Sequence, residues 1–337
     1  MISLILISLI TCGVGSTLYY FWAKRRAIVD IPNERSSHSH QPIRGLGIVF
    51  PIACALMGIL SLYTRILPVE IEEIWTRPFL IPLGIVLAGL TGYFDDRLDL
   101  KASIRLPLYA LSVGLVLFAS SPLSYISFLG AGIALIVLVG IINTYNFMDG
   151  INGITGLYSI VFFGSVLFYL NDCNPDLLGF TEVLLIPALC FYIVFGVFNY
   201  RKTALAFLGD AGSIGTGLLV STCLIFLFNE FQSIHVLSLL LVYGVDSLGT
   251  ILIRLIRREN IFKAHRSHFY QDLVHKIGIS HIKVSFVYAL IQLCINVLYF
   301  TSVFQPMLIF MVCLVILCAI YLIGKRHMGQ LNLNLLK

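Results

Sequence analysis

The chain has 337 residues, of which 58% are hydrophobic and 12% charged, and its mean hydropathy is +0.94. Soluble domains average about 45–50% apolar and about 25% charged residues, so this composition excludes a water-soluble enzyme, a disordered chain and a fibrous protein. The net charge of +5 does not point to nucleic acid, because its meaning depends on which side of a membrane carries it. The sequence predicts an all-α, polytopic integral membrane protein with no nucleic-acid partner.

Eleven apolar stretches approach the length of about 20 residues that a membrane-spanning helix needs. They cover residues 2–22, 46–67, 79–94, 105–121, 126–143, 154–170, 183–198, 213–229, 234–253, 284–302 and 306–324. If the N-terminus is outside and the loops alternate, all of the 22 lysines and arginines except Arg65 and Arg77 fall on the inner side. The positive-inside rule therefore favours eleven spans, with the N-terminus outside and the C-terminus inside. We treat residues 1–337 as one transmembrane domain.

A set of polar side chains lies on the predicted inner side, and the packing of membrane helices does not require them. In chain order they are Arg44 in the first inner loop, Asp95 and Asp96 in G-Y-F-D-D, Asn143, Asn146, Asp149 and Asn152 in N-T-Y-N-F-M-D-G-I-N-G, Asp210 in L-G-D-A-G-S, and His265, Arg266 and His268 in H-R-S-H. Each group alone has an ordinary alternative: a solvated helix end, an amide that joins two helices, a capped turn or a polar loop. Together they place oxygen ligands suited to Mg²⁺ beside cations that bind phosphate, at a lipid boundary. This combination indicates phosphoryl transfer onto a lipid phosphate.

Five motifs occur in an order that resembles the polyprenyl-phosphate N-acetylhexosamine-1-phosphate transferases, whose superfamily includes the phospho-MurNAc-pentapeptide translocases. They are P-N-E-R-S-S-H-S with P-I-R-G, then G-Y-F-D-D, N-T-Y-N-F-M-D-G-I-N-G, L-G-D-A-G-S and H-R-S-H, over residues 30–285. The resemblance implies transfer of an N-acetylaminosugar 1-phosphate from a UDP-sugar to undecaprenyl phosphate, which yields undecaprenyl-diphospho-sugar and UMP. It also implies Mg²⁺, with Mn²⁺ as a second candidate. The implied location is the bacterial inner membrane, with a periplasmic N-terminus, a cytoplasmic C-terminus and an active site facing the cytoplasm; a homodimer is left open.

The resemblance also assigns roles to individual positions. Asn146 and Asp210 match the metal-binding positions, Asp95 matches the aspartate that positions or deprotonates the lipid phosphate, and Asp96 and Asp149 match further site carboxylates. The expected substrate-binding residues are Arg44, Asn152, His265, Arg266 and His268. Because a phosphate monoester is largely dianionic at neutral pH, the reaction hardly requires a strong general base. We therefore favour a single displacement in which Asp95 acts as a positioner as much as a base.

Two departures from the usual family pattern bear on the substrate. Asn152 stands where a second aspartate is usual, and H-R-S-H replaces a denser histidine cluster. With N-E-R-S-S-H, these features resemble the subgroup that initiates O-antigen synthesis from UDP-linked FucNAc, QuiNAc or GlcNAc. The alternatives are a phospho-MurNAc-pentapeptide transferase and, in a different class, a secondary transporter. For Asp246, deep in the ninth span, we favour a hydrogen-bonding role in helix packing over a catalytic one.

Overall fold

The computed structural model describes residues 2–32, 40–64, 77–120, 128–173, 175–261 and 265–329. The α-helices are α1 (Ile2–Arg25), α2 (Val49–Thr64), α3 (Arg77–Leu98), α4 (Ala102–Ser120), α5 (Phe128–Met148), α6 (Ile154–Cys173), α7 (Pro175–Asn199), α8 (Gly209–Phe231), α9 (Leu241–Ile256), α10 (Phe269–His275), α11 (His281–Thr301) and α12 (Pro306–His327). Short 3₁₀ turns at Leu46–Ile48 and Ile234–Leu240 lead into α2 and α9. Within the described ranges no β-strand forms, which confirms the all-α prediction.

Ten helical segments of the described chain are long and apolar enough to cross a membrane. They correspond to ten of the eleven predicted spans. The remaining one, predicted over residues 46–67, is the shorter apolar helix Leu46–Leu60, and its predicted end passes into residues 65–76, which lie outside the described ranges. The polytopic architecture is thus confirmed, while the sidedness of the termini stays a prediction.

Helix α8 lies at the centre of the bundle, and nearly all of its length is buried. Small residues let its neighbours approach closely, as is common between membrane helices. A Cβ on Gly92 of α3 would collide with the Asp210 carbonyl, and a Cβ on Gly217 of α8 would lie 2.8 Å from the Cα of Ile142 in α5. This packing brings the ends of α3 and α5 to the start of α8, a region that we call the polar end of the bundle.

The segment after residue 40 joins the polar end by pairing with the chain that precedes α8. The Ile43 N–H donates to the Leu205 carbonyl at 3.0 Å, and the Phe207 N–H donates to the Ile43 carbonyl at 2.8 Å. The Gly47 N–H donates to the Leu208 carbonyl at 2.9 Å. These backbone contacts bring Arg44 beside the first turn of α8.

Candidate active site

A carboxylate cluster forms where α3 ends and α8 begins. The Oδ2 atom of Asp96 accepts the backbone N–H of Asp210 at 2.8 Å, and its Oδ1 atom accepts Nη2 of Arg44 at 2.6 Å and Nε at 3.0 Å. A second carboxylate, Asp30, lies 3.4 Å from Nη1 of Arg44. The Asp96 side chain is 4% exposed and the Arg44 side chain 40% exposed. Arg44 therefore holds a buried carboxylate while part of its guanidinium faces outward.

Gly209 is required at the start of α8 for two reasons. Its φ of +72° lies in the left-handed region, which a residue with a side chain rarely adopts. A Cβ at this position would also lie 2.5 Å from Oδ2 of Asp96. The glycine of L-G-D-A-G-S therefore lets Asp96 reach the Asp210 amide.

The neighbouring aspartate, Asp95, is held by a different arginine. Its Oδ2 atom accepts Nη1 of Arg105 at 2.5 Å, and its Oδ1 atom accepts the Leu100 N–H at 2.9 Å. The Asp95 side chain is 4% exposed. From the sequence, Arg105 counted only toward the orientation of the spans. Its position at the start of the next span was the signal that could have identified it as a partner of Asp95. The two adjacent aspartates thus have separate cationic partners.

Asn146 contributes an amide to the carboxylate cluster from the last turn of α5. Its Nδ2 atom lies 3.3 Å from the Ser213 hydroxyl oxygen, and its side chain interacts with the Asp210 carboxylate. Asn143, one turn earlier, donates instead to the Val139 carbonyl of its own helix at 2.8 Å. Of the N-x-x-N pair, only Asn146 therefore joins Asp210. Within the described ranges, no three His, Cys, Asp or Glu side chains are grouped closely enough to hold a metal ion on their own.

Asp149 lies in the turn between α5 and α6. The Thr155 hydroxyl donates to its Oδ1 atom at 2.7 Å. Burial raises the pKa of Asp149 to about 7, and the charge of Asp96 acts in the same direction, while the Thr155 hydrogen bond opposes the shift. The site thus contains a carboxyl group that is partly protonated near neutral pH.

Asn152 is buried and forms hydrogen bonds that connect the loops of the polar end. Its Nδ2 atom donates to the carbonyl oxygens of Arg201 and Lys202 at 2.9 and 3.3 Å, and its own carbonyl accepts the Ser285 hydroxyl at 2.8 Å. The side-chain amide of Asn152 therefore donates its hydrogen bonds to acceptors within the protein. Its predicted nucleotide contact stays a prediction.

A histidine loop, defined here as residues 265–268 with α10, packs beside the end of α5. The rings of His265 and His268 lie 4.9 Å apart, and the His268 ring lies 6.2 Å from that of Phe147. The Tyr270 hydroxyl donates to the Phe147 carbonyl at 3.0 Å. Burial lowers the pKa of His265 to about 4, and the charge of His268 adds to this effect, so the His265 imidazole is neutral at pH 7. Arg266 lies between the two histidines in the chain.

Asp246 of α9 holds the first turn of α10. Its carboxylate accepts the N–H groups of Phe269 and Tyr270 at 2.7 and 3.0 Å and the Tyr288 hydroxyl at 2.7 Å. Nδ1 of His268 lies 3.5 Å from the same carboxylate. The geometry agrees with the hydrogen-bonding role in packing that we favoured for Asp246.

The sequence profile of glycosyl transferase family 4 matches residues 78–228, the segment that carries Asp95, Asp96, Asn146, Asp149 and Asp210. The chain resembles this family over that segment. An undecaprenyl-phosphate alpha-N-acetylglucosaminyl 1-phosphate transferase of Thermotoga maritima is 25% identical over 330 residues, which cover 97% of this chain and 99% of that protein. The protein of the same name in Escherichia coli (strain K12) is 28% identical over 231 residues, or 63% of this chain. That match spans only 59% of the length of the E. coli relative.

A relative with a different name also matches this chain. The phospho-N-acetylmuramoyl-pentapeptide-transferase of Thermotoga neapolitana is 26% identical over 245 residues, which cover 68% of this chain and 74% of that protein. The relatives therefore confirm the resemblance to the superfamily. Their names state two different transferred groups, an N-acetylglucosaminyl 1-phosphate and a phospho-N-acetylmuramoyl-pentapeptide.

The structure brings most of the predicted site residues into two neighbouring groups. The first group lies at the polar end and consists of Arg44, Asp95, Asp96, Asn146 and Asp210. The second is the histidine loop, which lies against the end of α5, directly before Asp149. The N-E-R-S-S-H motif, residues 33–38, lies outside the described residues. Residues that the sequence reasoning missed are the partners of these groups: Asp30, Arg105, Thr155, Tyr270 and Tyr288.

Proposed function

We propose that this protein transfers an N-acetylaminosugar 1-phosphate from a UDP-sugar to undecaprenyl phosphate, releasing UMP and initiating O-antigen or a related envelope polysaccharide. The observation that carries the proposal is the carboxylate cluster at the ends of three membrane-spanning helices, with two arginines on its aspartates. Such a site faces the headgroup level, where a lipid phosphate lies. The distribution of basic residues supports this end in the cytoplasm, and the bacterial relatives support the inner membrane as the location.

The donor set at the polar end fits Mg²⁺. Asp210 carries a carboxylate at this end, and the Asn146 amide, whose nitrogen faces Ser213 and Asp210 in the structure, would turn to present its oxygen to the ion. Carboxylate and amide oxygens are hard ligands, and Mg²⁺ is commonly held by one or two carboxylates plus substrate phosphates. Asp95 and Asp96 pair with arginines, which would leave the Asp210 carboxyl group for the ion. We propose that Asp210 and Asn146 hold the ion, with Asp96 fixing the backbone of Asp210. When bound, the ion would neutralise charge on the donor diphosphate.

The chain's own residues then have positioning roles, which is what phosphoryl transfer chiefly requires. In the proposed reaction an oxygen of the lipid phosphate forms a bond to the sugar-bearing phosphorus of the donor. The bond from that phosphorus to the UMP oxygen breaks, and UMP leaves with the electron pair. Arg44 is half-exposed beside Asp96 and is placed to bind a phosphate oxygen. Asp95, held by Arg105 and a backbone N–H, is a fixed carboxylate that orients the nucleophile.

A phospho-MurNAc-pentapeptide transferase is a second candidate, favoured by the Thermotoga neapolitana relative of that name. It would use the same polar end with a larger, peptide-bearing donor. A secondary transporter is disfavoured, because its ionisable groups belong near the bilayer midplane, whereas this cluster lies at helix ends.

The test is UMP release by the purified, detergent-solubilised protein with Mg²⁺ and undecaprenyl phosphate. The donor panel is UDP-GlcNAc, UDP-GalNAc, UDP-FucNAc, UDP-QuiNAc and UDP-MurNAc-pentapeptide. We expect release from one aminosugar donor, its loss in Asp210→Asn and in Asn146→Ala, and its retention in the matched control Asn143→Ala, whose amide bonds only its own helix in the structure. Release from UDP-MurNAc-pentapeptide alone would establish the second candidate. No release by folded protein from any donor would overturn both.

A further inference from the structure

Lys325, near the end of α12, is a buried cation. Three basic residues end this helix, as is usual where a span meets the cytoplasmic surface, and lysines there normally extend toward water. Arg326 and His327 are exposed in this way, but Lys325 has 0% exposed surface. Burial of an ammonium group is strongly unfavourable unless it is paired. Its position therefore requires partners inside the protein.

The partners of Lys325 belong to the histidine loop. Its Nζ atom donates to Oδ2 of Asp272 at 2.6 Å and to the Ser267 carbonyl at 2.5 Å. Ser267 lies between His265 and His268, and Asp272 lies in α10 and is itself 2% exposed. One ammonium group thus contacts the loop both between its histidines and in the helix that follows.

Two helices hold the histidine loop from different sides. Asp246 of α9 accepts the first N–H groups of α10, and Lys325 of α12 contacts Ser267 and Asp272. The register of α12 is also constrained by packing. A Cβ on Gly324 would collide with the Phe269 ring, and the Tyr321 hydroxyl lies 3.0 Å from the Thr250 hydroxyl of α9. The last helix of the bundle therefore reaches the loop in one fixed arrangement.

We propose that Lys325 is a positioning residue: through Asp272 and the Ser267 carbonyl it holds the histidine loop against the end of α5. There the partly exposed His265 contacts the donor diphosphate while the buried His268 stays beside Asp246. The inference rests on the proposed function, because it assumes that the histidine loop binds the UDP-sugar and that the region around Asp95 binds the lipid phosphate. Loss of Lys325 then weakens donor binding selectively.

The test compares Lys325→Met with the matched control Arg326→Met, the exposed neighbour on the same helix. We expect Lys325→Met to raise the KM for the UDP-sugar about tenfold while the KM for undecaprenyl phosphate stays unchanged. Arg326→Met should leave both constants within about twofold, as for an ordinary surface substitution. Hydrogen exchange measured by mass spectrometry should quicken in peptides covering residues 265–275 of Lys325→Met and not elsewhere.

The double variant Lys325→Met with Asp272→Asn removes one positive and one negative charge. It distinguishes the loss of positioning from the effect of an unpaired Asp272 carboxylate, and it replaces the single variant if that variant folds poorly. We expect the double variant to regain thermal stability and to keep the raised donor KM. A donor KM equal to that of the wild type in the double variant would overturn the proposal, as would equal changes in both KM values. If the wild type releases no UMP, the proposed function fails, and the hydrogen-exchange result still decides whether Lys325 holds the loop.

Discussion

Removal of the Arg44 guanidinium tests whether the polar end works as one charged unit. In Arg44→Gln, Asp96 loses both side-chain donors and keeps the Asp210 N–H, while the charges of Asp95 and Asp210 remain nearby. Hydrogen bonds to charged groups contribute about 1.5–3 kcal/mol each. The contact that the substitution removes from the reaction is the proposed one between Arg44 and a substrate phosphate oxygen; because Arg44 is 40% exposed, we take the lower end, about 1.5 kcal/mol. At about 1.4 kcal/mol per factor of ten, kcat/KM should fall about tenfold.

The assay is steady-state UMP release at saturating Mg²⁺, with thermal stability measured in parallel so that unfolding is not mistaken for lost activity. Arg44→Lys keeps the charge without the planar guanidinium and should fall between the wild type and Arg44→Gln. Arg26→Gln, at an exposed arginine just after α1, is the matched control and should match the wild type. Arg44→Gln with more than about half of the wild-type kcat/KM, well short of the tenfold loss, would refute the reasoning.

Three further predictions address the metal, the backbone and the histidine loop. Chelation by EDTA should abolish UMP release by the wild type, with recovery on adding Mg²⁺ or Mn²⁺; release that survives chelation would contradict the metal proposal. Gly209→Ala should lower kcat about tenfold, because the left-handed backbone costs a residue with a side chain about 1–2 kcal/mol and the Cβ displaces Asp96; the control Gly244→Ala, with open space at its Cβ, should be silent. Since burial lowers the pKa of His265 to about 4, this imidazole stays neutral from about pH 6 to about pH 8. His265→Gln should therefore change kcat/KM by one constant factor across that range, and an acid limb that disappears in the variant would refute this.

Hydropathy and motif order predicted the main features of the fold and the site. Spans are set by the length of apolar runs, which the chain shows directly, and Asp96, Asp210 and Asn146 meet as the motifs imply. The second predicted span, residues 46–67, corresponds to the turn Leu46–Ile48 followed by α2, and its predicted end lies outside the described residues.

Partners and side-chain directions were harder to predict. Asn143 and Asn146 share one helical face in the sequence pattern, yet Asn143 bonds its own helix and Asn146 joins Asp210. The pattern does not show which of the two side chains reaches the start of α8. Lys325 looked like one more basic residue at the end of a span. Its pairing with Asp272, 53 residues earlier, depends on how α12 packs against α9 and the histidine loop. Contacts of this range arise from the assembled bundle and have no local signal.

The central claim is that a sugar phosphate, and not a sugar alone, moves to the lipid. It is tested most directly with a UDP-sugar whose sugar-bearing phosphorus is isotopically labelled, given to the purified protein with Mg²⁺ and undecaprenyl phosphate, with the lipid and nucleotide products separated and analysed. The account predicts the label in a lipid diphospho-sugar and unlabelled UMP as the nucleotide product. Label recovered in UDP, with a lipid monophospho-sugar beside it, would show transfer of the sugar alone and contradict the account.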